Sequence, residues 1–249
     1  MTDKPRTVLF GFHAVGTRLK IAPASIELML FDSTRRDPRM RQLQARAAEA
    51  GIKTVETDSA QLDRLARTDR HQGVAAKVDV LKAQHSLDDL LDEVAARGEQ
   101  PLLLLLDGVT DPHNLGACLR VADGAGVHAV IAPRDHAVGL NATVAKVASG
   151  AAESVPYLMV TNLARTLGEL KERDIVCVGT SDQAEGSLYT APLAGPLAWV
   201  LGAEGHGLRQ LTAKTCDRLV SIPMRGAVES LNVSVAAGIC LYESLRQRG

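Results

Sequence analysis

A run of five leucines, Leu102 to Leu106, closed by Asp107, does most to limit the folds open to this chain. An unbroken apolar run of that length, ending at a loop, reads as a strand buried on both faces, as in a parallel sheet covered by helices. Gly108 to Pro112 are loop residues. From Asn114 onward Leu115, Cys118, Leu119 and Ala122 recur at helical spacing, with Asn114 placed to cap the first turn. Gly124 and Gly126 end that helix before the apolar run His128–Ala132. The stretch is therefore a β-α-β unit whose loop carries Asp111, His113 and Asn114, with Arg120 farther into the helix. Ligands of open α/β sheets bind at such strand ends.

The same alternation runs along the chain. Before the leucine run we expect a turn into a short helix over Phe10–Lys20 and a strand over Ser25–Phe31. A helix over Arg39–Ala50 follows, with Met40, Leu43 and Ala47 inward, then a strand Ile52–Val55, a short helix near Leu62–Ala66 and a strand Gly73–Val78. After it we expect a helix Asn141–Ala152 with Val144, Val147 and Ala148 inward, a strand Tyr157–Val160, a helix Leu163–Arg173 and strands at Ile175–Gly179 and Leu197–Leu201. A helix Arg209–Cys216, a strand Leu219–Ile222 and a last helix Val233–Gln247 complete the chain. Such alternation argues for a parallel α/β architecture. Composition shifts between Lys82 and Pro101: Lys82–Ser86 is polar and an acidic helix is expected over Leu87–Ala96. The expected division is therefore a domain 1–78, a linker 79–100 that carries this short helix, and a domain 101–249.

Charge is divided along the same line. Residues 1–78 hold 14 Lys and Arg against 9 Asp and Glu, a balance of +5, within a chain whose net charge is -1. Arg35, Arg36, Arg39 and Arg41 cluster at a strand-to-helix turn and suit a phosphate backbone, or else a solvated helix face. Only seven aromatics occur, too few for a base-stacking surface. The four cysteines, Cys118, Cys177, Cys216 and Cys240, are scattered through apolar runs without zinc spacing, which excludes a zinc finger and implies free thiols in a reducing compartment. With a polar start and no apolar run of membrane-spanning length, a cytoplasmic protein is expected.

Three loops after buried strands carry the chemistry: the one holding Asn114, then Gly202-Ala-Glu204-Gly205-His-Gly207, then Ile222 to Asn232. Glycines let a backbone approach a ligand closely, and the helix after Ser230 and Asn232 offers free N–H donors. Asn114 and Asn232 read as helix caps or as site residues, and Gly202, Gly205 and Gly207 as a tight turn or a ligand loop. Glu204 is harder to dismiss, because carboxylates are rarely buried unpartnered. Arg120 reads as an ion-pair partner or an anion ligand. No P-loop, dinucleotide fingerprint, nucleophile elbow or His-Glu-x-x-His occurs, which disfavours those enzyme classes.

Taken together, Asp111-Pro-His-Asn114-Leu-Gly-Ala-Cys-Leu-Arg120, Gly202-Ala-Glu204-Gly-His-Gly207 and Ile222-Pro-Met224 with Ser230-Leu-Asn232-Val-Ser-Val-Ala resemble the three signature motifs of the SpoU/TrmH (SPOUT) RNA 2′-O-ribose methyltransferases. Phe12-His-Ala-Val, His71-Gln-Gly73, Asn141-Ala-Thr and Val160-Thr-Asn-Leu-Ala-Arg165 extend the resemblance over the whole chain, toward members that act on 23S rRNA. The resemblance implies a small L30e-like RNA-binding domain followed by a parallel-sheet domain with a deep trefoil knot. It implies S-adenosylmethionine as cofactor, with Gly202, Ile222, Leu231, Thr180 and Met224 around it. Asn114, Arg120, Glu204, Ser230 and Asn232 become the catalytic set, without a metal. It also implies a homodimer through the C-terminal domain and a guanosine of 23S rRNA as substrate. A tRNA guanosine 2′-O-methyltransferase of the same family and a non-catalytic RNA-binding protein are the alternatives.

Overall fold

The computed structural model describes residues 6–79, 86–203 and 205–249. Contacts divide the chain into two units, Met1–Gln84 with Ser149–Ser154, and His85–Ala148 with Val155–Gly249.

In the first unit, strands β1 (Arg6–Phe10), β2 (Ile26–Asp32), β3 (Thr54–Thr57) and β4 (Val74–Asp79) form a sheet in the order β1-β4-β2-β3. Only β2 and β3 pair in parallel; β4 runs antiparallel to both β1 and β2. The alternation of elements had argued for parallel strands here too. β1 was not expected at all: it is a short edge strand with Arg6 and Thr7 exposed, and its few residues carry no clear alternation. Helices α1 (Phe12–Ile21) and α2 (Pro38–Glu49) pack on this sheet, with α3 (Ser59–Ala66) following β3. Met40, Leu43 and Ala47 of α2 are buried, as their spacing requires. They join Phe12, Val15, Leu19, Met29 and Phe31 in one core.

The second unit begins with α4 (Leu87–Ala96), whose start is a capping box between Ser86 and Asp89. The rest of the polar stretch expected from Lys82 to Ser86 lies outside the described residues. Leu90, Leu91 and Val94 of α4 are buried in the core of this unit, so the helix expected within a linker is a packed element. The strands are β5 (Leu102–Asp107), β6 (Ala129–Pro133), β7 (Tyr157–Val160), β8 (Val176–Thr180), β9 (Leu197–Gly202) and β10 (Arg218–Val220). They form a parallel sheet in the order β10-β8-β9-β5-β6-β7. Every residue of β5 is buried. Leu103 and Leu105 face α4 and α8 (Leu163–Lys171). On the other face Trp199, paired with Leu104, donates its indole N–H to Ser244 at 2.8 Å on the last helix, α10 (Val233–Arg248).

Two helices depart from expectation. α5 spans Pro112–Gly124, and its cap is Asp111, which accepts from the His113 N–H at 2.9 Å. Asn114 is therefore not the cap: Pro112 fits the first helical position, where its missing N–H is no loss, and the helix starts earlier. The expected helix over Asn141–Ala152 is two, α6 (Ala142–Ala148) and α7 (Ala151–Ser154), broken where Ser149 and Gly150 adopt φ of 52° and 95°. Val144 and Ala148 are buried and Val147 only partly so. A short α9 (Gln210–Thr215) precedes β10. Among the described residues, no helix is long and apolar enough to cross a membrane.

Candidate active site

β5 has β6 on one side and β9 on the other, so the direction of strand progression reverses beside it. At such a switch point the loops leaving the carboxyl ends of neighbouring strands separate and leave a crevice. On the β9 side of that point, the loops after β8, β9 and β10 line a cavity of about 1110 Å³.

Each wall is held by backbone bonds. Ser181 N–H donates to the Val220 carbonyl at 3.0 Å and Ser221 N–H to the Gly186 carbonyl at 2.7 Å, tying the loop after β8 to the end of β10. After β9 the chain folds back on itself: Gly207 N–H donates to the Ala203 carbonyl at 2.9 Å. That reversal uses φ of 80° at Gly205 and 62° at Gly207, which favour glycine. It also presses Gly207 and Leu208 against Gly202 so closely that a Cβ on Gly202 would overlap their backbone.

Asp107 anchors the far end of this loop. Its carboxylate, wholly buried, accepts from Arg209 Nε at 2.6 Å and from Arg209 N–H at 3.0 Å. A carboxylate closing an all-leucine strand signals that Asp107 needs a partner, but nothing in the residue pattern names Arg209 as that partner. Glu204 lies outside the described residues.

The expected site residues fall into two groups. Thr180, Gly202, Ile222, Met224, Ser230 and Leu231 all line the cavity. Asn114 and Asn232 do not; they meet each other instead, Asn232 Nδ2 donating to Asn114 Oδ1 at 2.8 Å. Asn232 also caps α10, accepting from Ser234 N–H at 2.9 Å and Ser234 Oγ at 2.6 Å. It is both a cap and a bridge between two of the three motif loops. Arg120 is exposed on α5, outside the cavity lining, and makes no ion pair among the described residues.

The lining limits the chemistry. Leu201, Ile222, Leu231, Ala213 and Ala236 offer an apolar surface, while the glycine-rich loops offer backbone groups. Among the described lining residues there is no Lys or Arg, whereas Asp182 and Glu229 are present. Neither acid was singled out from the sequence. Such a cavity favours a ligand with an apolar ring and a positive charge. Burial pushes the Cys118 thiol of α5 up to about 12, so it stays protonated and is no nucleophile.

Comparison with known proteins covers both units. Residues 101–242 match the SpoU rRNA Methylase family, and residues 8–84 match the family described as RNA 2′-O ribose methyltransferase substrate binding. The 23S rRNA (guanosine-2′-O-)-methyltransferase RlmB of Ralstonia nicotianae is 59% identical, over 97% of this chain and 96% of that protein. Among solved structures, an RNA 2′-O ribose methyltransferase superposes with a TM-score of 0.77 at 29% identity, covering 98% of this chain and 90% of that one. The SpoU methyltransferase AviRb from Streptomyces viridochromogenes, in complex with the cofactor AdoMet, superposes with a TM-score of 0.76 at 25% identity, covering 98% and 90%.

Proposed function

The chain belongs to the SpoU rRNA Methylase family, and from that premise we propose that it transfers a methyl group from S-adenosylmethionine to the ribose 2′-OH of a guanosine in 23S rRNA. One observation carries the reading: three distant segments, after β8, β9 and β10, converge on a single cavity in a chain similar throughout to a 23S rRNA methyltransferase. The cavity suits the cofactor. Its apolar walls accept an adenine ring, its backbone groups accept polar ends, and its carboxylates without Lys or Arg tolerate a sulfonium cation. We assign Thr180, Gly202, Ile222, Met224 and Leu231 to holding it. When bound, the cofactor supplies an electrophilic methyl group.

The chain's own residues must then position a ribose and stabilise charge on its 2′-oxygen. An Arg keeps its proton in proteins, so Arg120 acts by stabilising the developing alkoxide and gripping a neighbouring phosphate, not as a base. The 2′-OH proton passes to water or phosphate. Ser230 and Asn232 orient the ribose or cofactor, and the Asn114 bond to Asn232 ties the first motif to the third. Glu204 helps to hold the Arg120 guanidinium. The first unit, similar to a substrate-binding domain, docks the RNA as an L30e-like module.

Arg120 lies outside the cavity lining of its own chain, which supports a homodimer in which Arg120 of one protomer completes the site of its partner. Exposed Val235 and Tyr242, seven residues apart on α10, supply apolar area for that contact. The deep trefoil knot that the motifs imply belongs to this reading of the second unit. Four free thiols, three of them buried, fit the cytoplasm.

Mapping 2′-O-methyl marks on total RNA, from cells with and without this protein, tests the substrate. Loss of one guanosine mark in 23S rRNA is expected; loss of a tRNA mark, or of none, overturns the reading. For the role of Arg120, Arg120→Ala should slow transfer on the order of a hundredfold or more while calorimetry finds cofactor affinity unchanged. Parallel loss of cofactor binding would make it a structural residue.

A further inference from the structure

We propose that the groove between α1 and α2 of the first unit is the phosphate-backbone docking site for the RNA substrate, built by Lys20, Arg39 and Arg46. The inference rests on the RNA-methyltransferase reading above and assigns its docking step to particular residues. On α1 the groove is lined by His13, Gly16, Thr17 and Lys20, and on α2 by Arg39, Gln42, Leu43 and Arg46. Each set follows the i, i+3, i+4, i+7 spacing of a single helix face. The two helices therefore offer their polar faces to one trough of about 280 Å³. Seven residues of helix span about 10 Å, a length that suits a run of backbone better than a single anion.

Charge decides what the trough can hold. No carboxylate among the described residues lines it. Among the described residues Lys20, Arg39 and Arg46 make no ion pair with a carboxylate, although all three are exposed. The neighbouring arginines differ. Arg35 is paired with Asp37 at 2.5 Å and Arg36 with Glu56 at 3.3 Å, so half of the cluster prominent in the sequence is already neutralised. Arg41, though exposed, does not line the groove.

The floor fixes the mode of binding. The Phe12 ring is buried, and the guanidinium carbons of Arg39 and Arg35 lie 4.6 Å and 5.1 Å from its centroid. This stacking holds Arg39 in place, and Arg39 Nη2 lies 3.2 Å from His13 Nε2. With the ring covered, no aromatic face is open for a base. The groove therefore grips phosphates without reading sequence, and His13, Thr17 and Gln42 add hydrogen bonds to phosphate or ribose.

Binding of full-length protein to 23S rRNA, measured across salt concentrations, tests this. Lys20→Ala with Arg46→Ala should weaken RNA affinity on the order of tenfold and reduce the slope of log K against log salt by about two. The KM for RNA should rise while kcat and cofactor affinity hold. The control is Lys53→Ala with Arg64→Ala, which removes the same charge from other exposed positions of the unit. Unchanged affinity in the groove variant, or an equal loss in the control, overturns the groove. If the unaltered protein binds the RNA but methylates none of it, the methyltransferase reading fails instead.

Discussion

The cavity after β8, β9 and β10 and the groove between α1 and α2 are both polar concavities, yet they are built in opposite ways. The cavity is walled by backbone, glycine and small or apolar side chains, tied by hydrogen bonds between loops and locked by a buried carboxylate. The groove is walled by long cations on two regular helices, and its shape asks little of the backbone. One is suited to hold a compact ligand by fit, the other to hold a polyanion by charge. The first cannot give without losing its function; the second depends on charge number and ionic strength.

The sharpest way to break this contrast is to make the same substitution in both regions. In Gly202→Ala the new Cβ would overlap the Gly207 and Leu208 backbone, which no rotamer relieves. Calorimetry should find cofactor binding abolished or the protein destabilised by about 3 kcal/mol or more. In Gly16→Ala the new Cβ meets only Leu43 Cδ1, at 4.0 Å, an ordinary contact. Thermal unfolding should show a gain of up to about 1 kcal/mol from helix propensity, with RNA affinity retained. Equal tolerance at both positions would erase the distinction.

A smaller effect tests the lock. Asp107→Asn leaves one acceptor where two served Arg209, and should cost about 2 kcal/mol in denaturant unfolding. Cofactor affinity should fall with it, while RNA affinity at fixed salt should not. A variant with full cofactor affinity would show that the loop after β9 needs no anchor.

The smallest effect is expected behind the cavity, on α10. Bonds from Arg246 and then Gln247 hold the Glu243 carboxyl down at about 2, against an ordinary 4.5. A lowered carboxyl contributes stability above its unfolded value, and this is lost as pH falls from 4.5 through about 2. Glu243→Gln should therefore unfold at a slightly lower temperature than the parent at neutral pH and converge with it near pH 2. Cofactor affinity at neutral pH should be unaffected, since the helix core of Ala237, Cys240 and Leu241 stays packed. A change in affinity would mean that the wall is less rigid than its hydrogen bonds imply.

Much of this was legible in the residues themselves. The leucine run became a strand buried along its whole length, and the α2 spacing placed Met40, Leu43 and Ala47 inward. Two of the three motif loops follow buried strands, β5 and β9, while the third follows the edge strand β10, of which only Val220 is buried. These features depend on local periodicity, which records which face of an element leaves water. The Asp-Pro pair signals the start of α5 at Pro112, with Asp111 as its cap, whereas the mixed strand directions of the first sheet and the edge strand β1 were not legible from the pattern. Nor were the pairings that make the sites: Asp107 with Arg209 lies 102 residues apart, and Asn114 with Asn232 lies 118 apart. The sequence placed four arginines in a cluster, but only the packing of α1 against α2 decided that Arg39 and Arg46 share a groove with Lys20, while ion pairs with Asp37 and Glu56 neutralise Arg35 and Arg36. Hydrophobic pattern is written one element at a time, whereas a charge's partner is chosen by whichever element the finished core brings beside it.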